Sequence, residues 1–244
     1  MDTHILYQDD DCLVVNKPPG LIVNRAQSVK GETVQDWIEQ SGSIAGITED
    51  GTPETKEFIA RSGIVHRIDK ETSGILVCAK NPKAFIRLQQ EFKERDVQKT
   101  YLAIVHGDLV PATGEVNAPV GRLPWNREHF GILPGGKEAV TAYTKLSSFP
   151  HGKNKETVSF VELRPHTGRT HQIRVHMKYI NHPLVGDYLY AGRKTSRLDR
   201  TWVSRCMLHA WKITILHPVT GAPLAIEAPI PDDMNRIIKG NEST

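Results

Sequence analysis

Apolar residues in this chain fall into short runs separated by clusters of Pro, Gly and polar residues. Ile5–Tyr7 and Cys12–Val15 read as two short strands around the turn Gln8–Asp11. Asn16-Lys17-Pro18-Pro19-Gly20 follows as a rigid turn. Thr33 reads as a helix N-cap, with Asp36 at the third helical position and Val34, Trp37 and Ile38 as the apolar face. Residues 41–57, rich in Gly, Ser, Thr and acids, read as a loop. Gly74–Ala79 has the pattern of a buried strand. Asn81 and Pro82 start a helix, since Asn caps and Pro is tolerated at the first position. Phe85, Leu88 and Phe92 share one face of that helix. Leu102–His106 reads as a strand stopped by Gly107.

Beyond it, residues 111–137 are crowded with Pro and Gly, and 122–137 reads as a loop. Val140–Leu146 and Val158–Leu163 read as strands. Thr170 is expected to cap a helix reaching Ile180, with Ile173, Met177 and Ile180 facing the core and Pro183 ending it. Residues 191–205 read as a basic loop with Arg193, Lys194, Arg197, Arg200 and Arg205. Strands near Met207–Leu216 and Leu224–Glu227 flank a turn at Pro218–Pro223. Strands outnumber helices and rarely alternate with them. The pattern therefore predicts an α+β fold around a mixed, mainly antiparallel sheet with flanking helices and loops. No repeat, heptad or linker divides the chain, so one domain over 1–244 is expected.

Composition adds limits. The 244 residues have a formal net charge of +3, mildly basic, which permits a polyanionic partner without requiring one. Cys12, Cys78 and Cys206 lie far apart among apolar residues, form no CxxC pair, and read as small buried hydrophobes of a reducing, cytoplasmic protein. The N-terminus has no signal-peptide pattern, and no apolar run approaches the roughly 20 residues of a membrane span.

Two polar clusters stand beside apolar segments. His66-Arg67-Ile68-Asp69-Lys70-Glu71-Thr72-Ser73-Gly74 is either a turn, capped by an Asp that pairs with Arg67, or a reactive loop. Arg164 to His176, RPHTGRTHQIRVH, holds three histidines at spacings of five. Five residues advance a helix by about 140°, so neighbouring histidines leave one face, and no metal site is expected. Arg174 follows core-facing Ile173 and, if buried, needs a carboxylate partner. Dinucleotide, P-loop and serine-hydrolase motifs do not occur.

Taken in order with their flanks, these segments resemble the RluA-type RNA pseudouridine synthases. HRIDKETSG is similar to the family's HRLDxxTSG. LVVNKPPGLIV, KTYLAIVHG, PGGKEAVTAY, LRPHTGRTHQIRVHM, HPLVGDYLY and LHAWKITILHPVTG follow in family order, from about Ile5 to about Pro231. The resemblance implies the pseudouridine synthase fold with a central RNA cleft. It also implies isomerisation of uridines in structured ribosomal or transfer RNA, with no cofactor and no metal. Asp69 would be the essential aspartate, acting as nucleophile or base on the ribose. Tyr101 would pack on the target base and Arg174 would pair with Asp69. Arg67 would fill the stack where the uridine leaves. His66, Lys99, Arg169, Arg122, Arg127, Arg193 and Arg197 are the expected RNA contacts, with Trp125 and Phe130 stacking on bases or packing within their own loop. Two departures stand out. Asn24 replaces a His common after the first motif, and the motifs begin too early for the family's N-terminal S4 domain. Substrate choice is then expected from residues 122–137 and 191–205, in a monomer. The rival readings are a non-catalytic RNA-binding module and, further off, a metal-dependent RNA hydrolase.

Overall fold

A computed structural model describes residues 3–26, 29–44, 50–151 and 156–239, with the side chains of Arg127 and His151 outside that description. In chain order the elements are β1 His4–Gln8, β2 Cys12–Lys17, α1 Val34–Gln40, α2 Pro53–Ala60, β3 Ser73–Ala79, α3 Pro82–Glu94, β4 Gln98–His106, β5 Thr113–Asn117, β6 Val120–Leu123, β7 Asn126–Ile132, β8 Val140–His151, β9 Glu156–Pro165, α4 Gln172–Tyr179, α5 Arg193–Asp199, β10 Leu208–Leu216, β11 Pro223–Glu227 and α6 Asp232–Lys239. The chain is α+β with the mixed, mainly antiparallel strand arrangement the pattern predicts. It forms two compact units, one of Met1–Gln98 with Ala210–Pro229, the other of Lys99–His209 with Ile230–Thr244.

In the first unit the strand order is β1-β2-β3-β10, with β11 paired to β10. Cys12 faces Ala79 and Lys17 faces Gly74 in the antiparallel β2–β3 register. All seven residues of β3 are buried, so both faces of this strand are covered and it is apolar throughout rather than alternating. Cys12 and Cys78 sit in this core, and burial pushes the Cys12 thiol up to about 12. The α1 start is a capping box, with Thr33 and Asp36 satisfying each other's backbone groups. Asn81 caps α3 by accepting from the Ala84 N–H, ahead of Pro82 in the first turn. Phe85 and Leu88 bury beneath it, and Phe85 meets Phe58 edge-on at 5.7 Å.

That Phe58 belongs to α2, in a stretch the pattern assigned to a loop. Thr52 caps α2 from before Pro53. Its buried residues are Thr55 and Phe58, too few to show a helical period. Residues 45–49 of the expected loop lie outside the described residues.

The second unit orders its strands β4-β9-β8-β5, all antiparallel, beside the β6–β7 hairpin. This hairpin corrects the expected loop at 122–137. Its glycines are packing positions: a Cβ on Gly131 would meet Leu123 Cδ2 at 2.8 Å. The segment 191–205 is also not simply a loop, since Arg193–Asp199 forms α5. Its polar exposed face conceals a short helix that buries Ser196 and Asp199. α6, beyond the last expected strand, buries Met234 and Ile237.

α4 runs between two apolar clusters. Ile173 and Met177 join Ala103, Val105, Val161 and Leu163. Val175 joins Val120, Ala139 and Tyr190. Thr170 is exposed and does not cap this helix. His171 occupies the N-cap position in the left-handed region and makes no side-chain cap bond. Gln172 closes the turn instead: its Oε1 accepts from Thr167 Oγ1 at 2.7 Å and from the Arg169 N–H at 3.0 Å. His176 is fully buried, with Nδ1 2.9 Å from Thr141 Oγ1 and Nε2 3.0 Å from the Ala118 carbonyl. Only a donor can face a carbonyl, so Nε2 carries a proton, and burial disfavours a second proton on the ring. No helix among the described residues is long and apolar enough to cross a membrane.

Two tests follow from this packing. Gly74 has φ +106° and a Cβ there would stand 2.2 Å from the Ala210 carbonyl oxygen. Gly74→Ala should destabilise the fold by about 2–4 kcal/mol in urea unfolding, and unchanged stability would contradict this close approach. Burial holds His176 below its ordinary pKa. The unfolded chain therefore takes up a proton below about pH 6.5 that the folded chain refuses. Stability from this group is full above that pH and falls by up to ~1.4 kcal/mol per unit below it. His176→Gln should start less stable and show a shallower acid slope; an equal slope would place the titration elsewhere.

Candidate active site

Asp69 sits in irregular chain between two buried stretches, Ser62–Val65 and Thr72–Ala79. Ile68 is buried, Asp69 is half-buried, and Arg67 and Lys70 are exposed. The alternation follows from the loop's anchor: Ile68 enters the core and its neighbours are turned outward. The loop is closed on itself by the Thr72 N–H, which donates to the Asp69 carbonyl at 3.1 Å.

The loop is also tied to the Pro-Pro-Gly turn. The Lys70 carbonyl accepts from the Gly20 N–H at 2.8 Å and from Lys17 Nζ at 3.1 Å. Lys17 is fully buried, and its ammonium also donates to the carbonyls of Pro18 at 2.8 Å and Leu21 at 2.9 Å. A buried ammonium is stable only with its donors satisfied. Here three carbonyls accept from it, and one of them belongs to the residue after Asp69. The sequence reading passed over Lys17 as part of a rigid turn. A lysine directly after an apolar strand is the signal that could have found it.

His66 braces the same segment. Its ring stacks on Phe92 with centroids 4.4 Å apart, and its Nε2 accepts from the Val77 N–H at 2.9 Å. Gly74 follows the loop and lets β10 approach within van der Waals contact.

In the second unit, Tyr101 lies on β4 opposite Leu163, half-buried against the Ala103–Val161 cluster. Lys99, on the same strand, is half-buried. Arg174 is 9% exposed and forks onto Asp187, with Nε 2.8 Å from Oδ2 and Nη2 2.9 Å from Oδ1. This is a carboxylate partner of the kind a buried arginine requires, and removing one member of such a pair typically costs ~3–5 kcal/mol. Asp187 lies in the HPLVGDYLY segment and was not among the sequence candidates. The guanidinium also lies over the Tyr190 ring, 5.0 Å from its centroid. Tyr190 Oη is 2.8 Å from His171 Nδ1 and accepts from the Phe130 N–H at 3.0 Å.

The expected RNA contacts are spread over this unit. Arg169 donates from Nε to the Glu138 carbonyl at 2.9 Å. Arg122 is exposed on β6 with its guanidinium 5.3 Å above the Phe130 ring. Phe130 packs against the Val175 and Tyr190 cluster and meets the His171 ring edge-on at 5.6 Å, while Trp125 at the hairpin turn is 75% exposed. Arg127 lies on β7, with its side chain outside the described part. Arg193 and Arg197 are exposed on α5.

The three histidines of the second cluster are separated in role. His166 is exposed, His171 bonds Tyr190, and His176 is in the core. Among the described residues, Asp9, Cys12 and His217 do have ligand atoms within 4.8 Å of one another. Asp9 and His217 are engaged with each other. Asp9 Oδ2 takes the Tyr7 hydroxyl at 2.5 Å and His217 Nε2 at 2.8 Å. His217 Nδ1 accepts from the N–H groups of Val219 and Thr220. A nitrogen accepting two N–H groups holds no proton, so the proton is on Nε2, facing Asp9. The trio is a hydrogen-bonded lock between two turns and offers no imidazole lone pair to an ion.

Comparison with known proteins gives a consistent answer. Residues 11–179 match the family model described as RNA pseudouridylate synthase. The chain is 39% identical over 240 residues to the uncharacterized RNA pseudouridine synthase YlyB of Bacillus subtilis (strain 168), covering 98% of this chain and 73% of that protein. It is 38% identical over 243 residues to ribosomal large subunit pseudouridine synthase D of Salmonella typhimurium, covering 96% of this chain and 69% of that one. Among solved structures, human RNA pseudouridylate synthase domain containing 1 superposes with a TM-score of 0.68 at 25% identity, over 100% of this chain and 96% of the other. The chain therefore belongs to the RNA pseudouridylate synthase family and is an RNA pseudouridine synthase, an isomerase of uridine in RNA.

Proposed function

We propose that Asp69 is the essential aspartate of this synthase, that Tyr101 and Arg174 serve the same reaction, and that the substrate is large-subunit ribosomal RNA. The observation that carries the reading is the Asp69 loop. A half-buried carboxylate stands in a loop whose Lys70 carbonyl is clamped by the Lys17 ammonium and the Gly20 N–H, next to an exposed Arg67. The names of relatives from Salmonella and Neisseria, which refer to the ribosomal large subunit, support the choice of RNA.

The chemistry sets the demands. The uridine N1–C1′ bond breaks, the base turns, and C5 joins C1′ while the C5 proton leaves and N1 gains one. Atoms and electrons balance within the nucleotide, so the reaction calls for no redox group and no hydrolytic water. It needs an anionic group at the ribose, a surface that keeps the detached base, and exclusion of water. Asp69 supplies the first and the Tyr101 ring the second. The uridine must leave its stack to be reached, and Arg67 fills the space it vacates. Arg174 serves the same reaction as a fixed positive charge.

RNA is held by phosphate contacts from Lys99, Arg169, Arg122, Arg127 and α5. Arg193 and Arg197 on α5 and Arg200 at its C-cap are exposed at i, i+4 and i+7, and so share one face. The acid nearby, Asp199, is 1% exposed and directs its carboxylate to His106, 3.1 Å away, and to the Gly186 N–H. The exposed face of this helix is therefore uniformly basic and suits a phosphate backbone. Trp125 offers an exposed ring for a base to stack on.

Three outcomes are expected. Asp69→Asn keeps the shape and removes the charge. It should abolish pseudouridine formation while keeping the fold and most RNA affinity, because phosphate contacts dominate binding. Turnover within about tenfold of the parent, ~1.4 kcal/mol of barrier, would overturn the assignment. Tyr101→Phe should bind RNA as the parent does and reveal whether the phenol oxygen takes the C5 proton. Tyr101→Ala should lose turnover by removing the stacking ring, and parental turnover by this variant would take Tyr101 out of the site. RNA affinity should fall with salt at a log–log slope of about −3 to −5, for ~4–6 phosphate contacts. Charge reversal at Arg193, Arg197 and Arg200 together should flatten that slope; an unchanged slope would make the α5 face a solvated surface only.

A further inference from the structure

We infer that Asp187 is a positioning residue for the reaction, which fixes the orientation of Arg174; the inference rests on the catalytic reading of Arg174. The bond pattern is a two-point fork, Nε to Oδ2 at 2.8 Å and Nη2 to Oδ1 at 2.9 Å. Such a fork sets the plane of the guanidinium as well as its place. The Tyr190 ring, 5.0 Å from Cζ, restricts it further.

Asp187 is itself held. Its Oδ1 also accepts from the N–H groups of Leu189 at 3.2 Å and Tyr190 at 3.3 Å, and the residue is 1% exposed. Tyr190 is fixed in turn by the bonds of its hydroxyl to His171 and the Phe130 N–H. The arginine is thus carried by a rigid helix and gripped by a carboxylate that has little freedom of its own.

Stability alone gives a weak reason for this arrangement. A buried ion pair is often matched or exceeded by apolar side chains of similar volume. α4 already has apolar partners on two sides, through Ile173 and Met177 and through Val175. An arginine aligned in advance, by contrast, lowers the reorganisation that the charged stages of the reaction require. Misplacing such a group by about 1 Å costs on the order of 100-fold in rate.

The test reads tritium release from an unmodified transcript of large-subunit ribosomal RNA labelled at uracil C5, with kcat and KM taken separately. Asp187→Asn should lower kcat about 100-fold and leave KM within about threefold, since phosphate contacts set affinity. Asp187→Glu, which restores the charge on a longer arm, should recover about tenfold of that loss. In an Arg174→Lys background, Asp187→Asn should cost less than about threefold more, because the carboxylate acts through the arginine. Parental kcat for Asp187→Asn, or an equal loss in both backgrounds, overturns the inference. If Asp187→Asn does not fold at the assay temperature, Asp187→Glu decides: parental kcat in that variant overturns the inference as well. Parental turnover by Arg174→Lys would instead overturn the catalytic reading of Arg174 and this inference with it. Loss in Arg174→Lys without loss in Asp187→Asn would leave that reading standing and remove only Asp187.

Discussion

The ammonium of Lys17 has no exposure to solvent, and its three carbonyl partners fix the geometry on which the Asp69 loop depends. A charge in that position must be satisfied by hydrogen bonds or it is expelled. The acceptors come from Pro18 and Leu21, across the Pro-Pro-Gly turn, and from Lys70 in the loop. The positive charge therefore draws two segments 53 residues apart into one arrangement. The Gly20 N–H adds a second bond to the same Lys70 carbonyl. Ile68 on one side and Thr72 on the other are buried, which leaves Asp69 and Arg67 little choice of direction. The Asp69 stretch is irregular chain, yet its backbone is held from beneath at the Lys70 carbonyl.

The second unit also buries a cation, but meets it with a carboxylate rather than with carbonyls. Arg174 is placed by a helix that is apolar on two flanks, so its guanidinium is carried into a buried setting. Asp187 balances its charge there, and Tyr190 lines it. Because Tyr190 also bonds the β7 backbone at Phe130, the hairpin with exposed Trp125 and the helix with Arg174 share an anchor. The hairpin and the arginine-bearing helix of this unit are therefore packed as one body. A disturbance in the hairpin has a short route to the arginine.

Much of the fold was legible because buried strands and capped helices leave plain marks. β2 and β3 carry apolar runs, and Thr33 and Asn81 cap α1 and α3 as their neighbours suggest. The failures share a cause. α2 and α5 are short helices with only two buried residues each, so no period of 3.6 emerges. The β6–β7 hairpin is built around glycines that serve packing, and glycine in a Pro-rich stretch reads as a loop. Thr170 looked like a cap because hydroxyls often are, but Gln172 had already taken the turn's donors. For the site, ordered motifs pointed to Asp69, Arg67, Tyr101 and Arg174. Lys17, Asp187 and Tyr190 were not legible as supports, because their importance lies in partners that only the folded backbone brings near. Arg174 announced that it would need a carboxylate, but nothing in the spacing says that it lies 13 residues on.

The proposed role of the Asp69 carboxylate in forming pseudouridine in ribosomal RNA can be read in cells. The most direct measurement is a map of pseudouridines in the RNA of cells that have lost this gene, compared with cells given back the parental or the Asp69→Asn allele. The account predicts that one or more sites in large-subunit ribosomal RNA vanish with the gene, return with the parental allele, and stay absent with Asp69→Asn at equal protein level. Restoration by Asp69→Asn, or an unchanged map after loss of the gene, would contradict it.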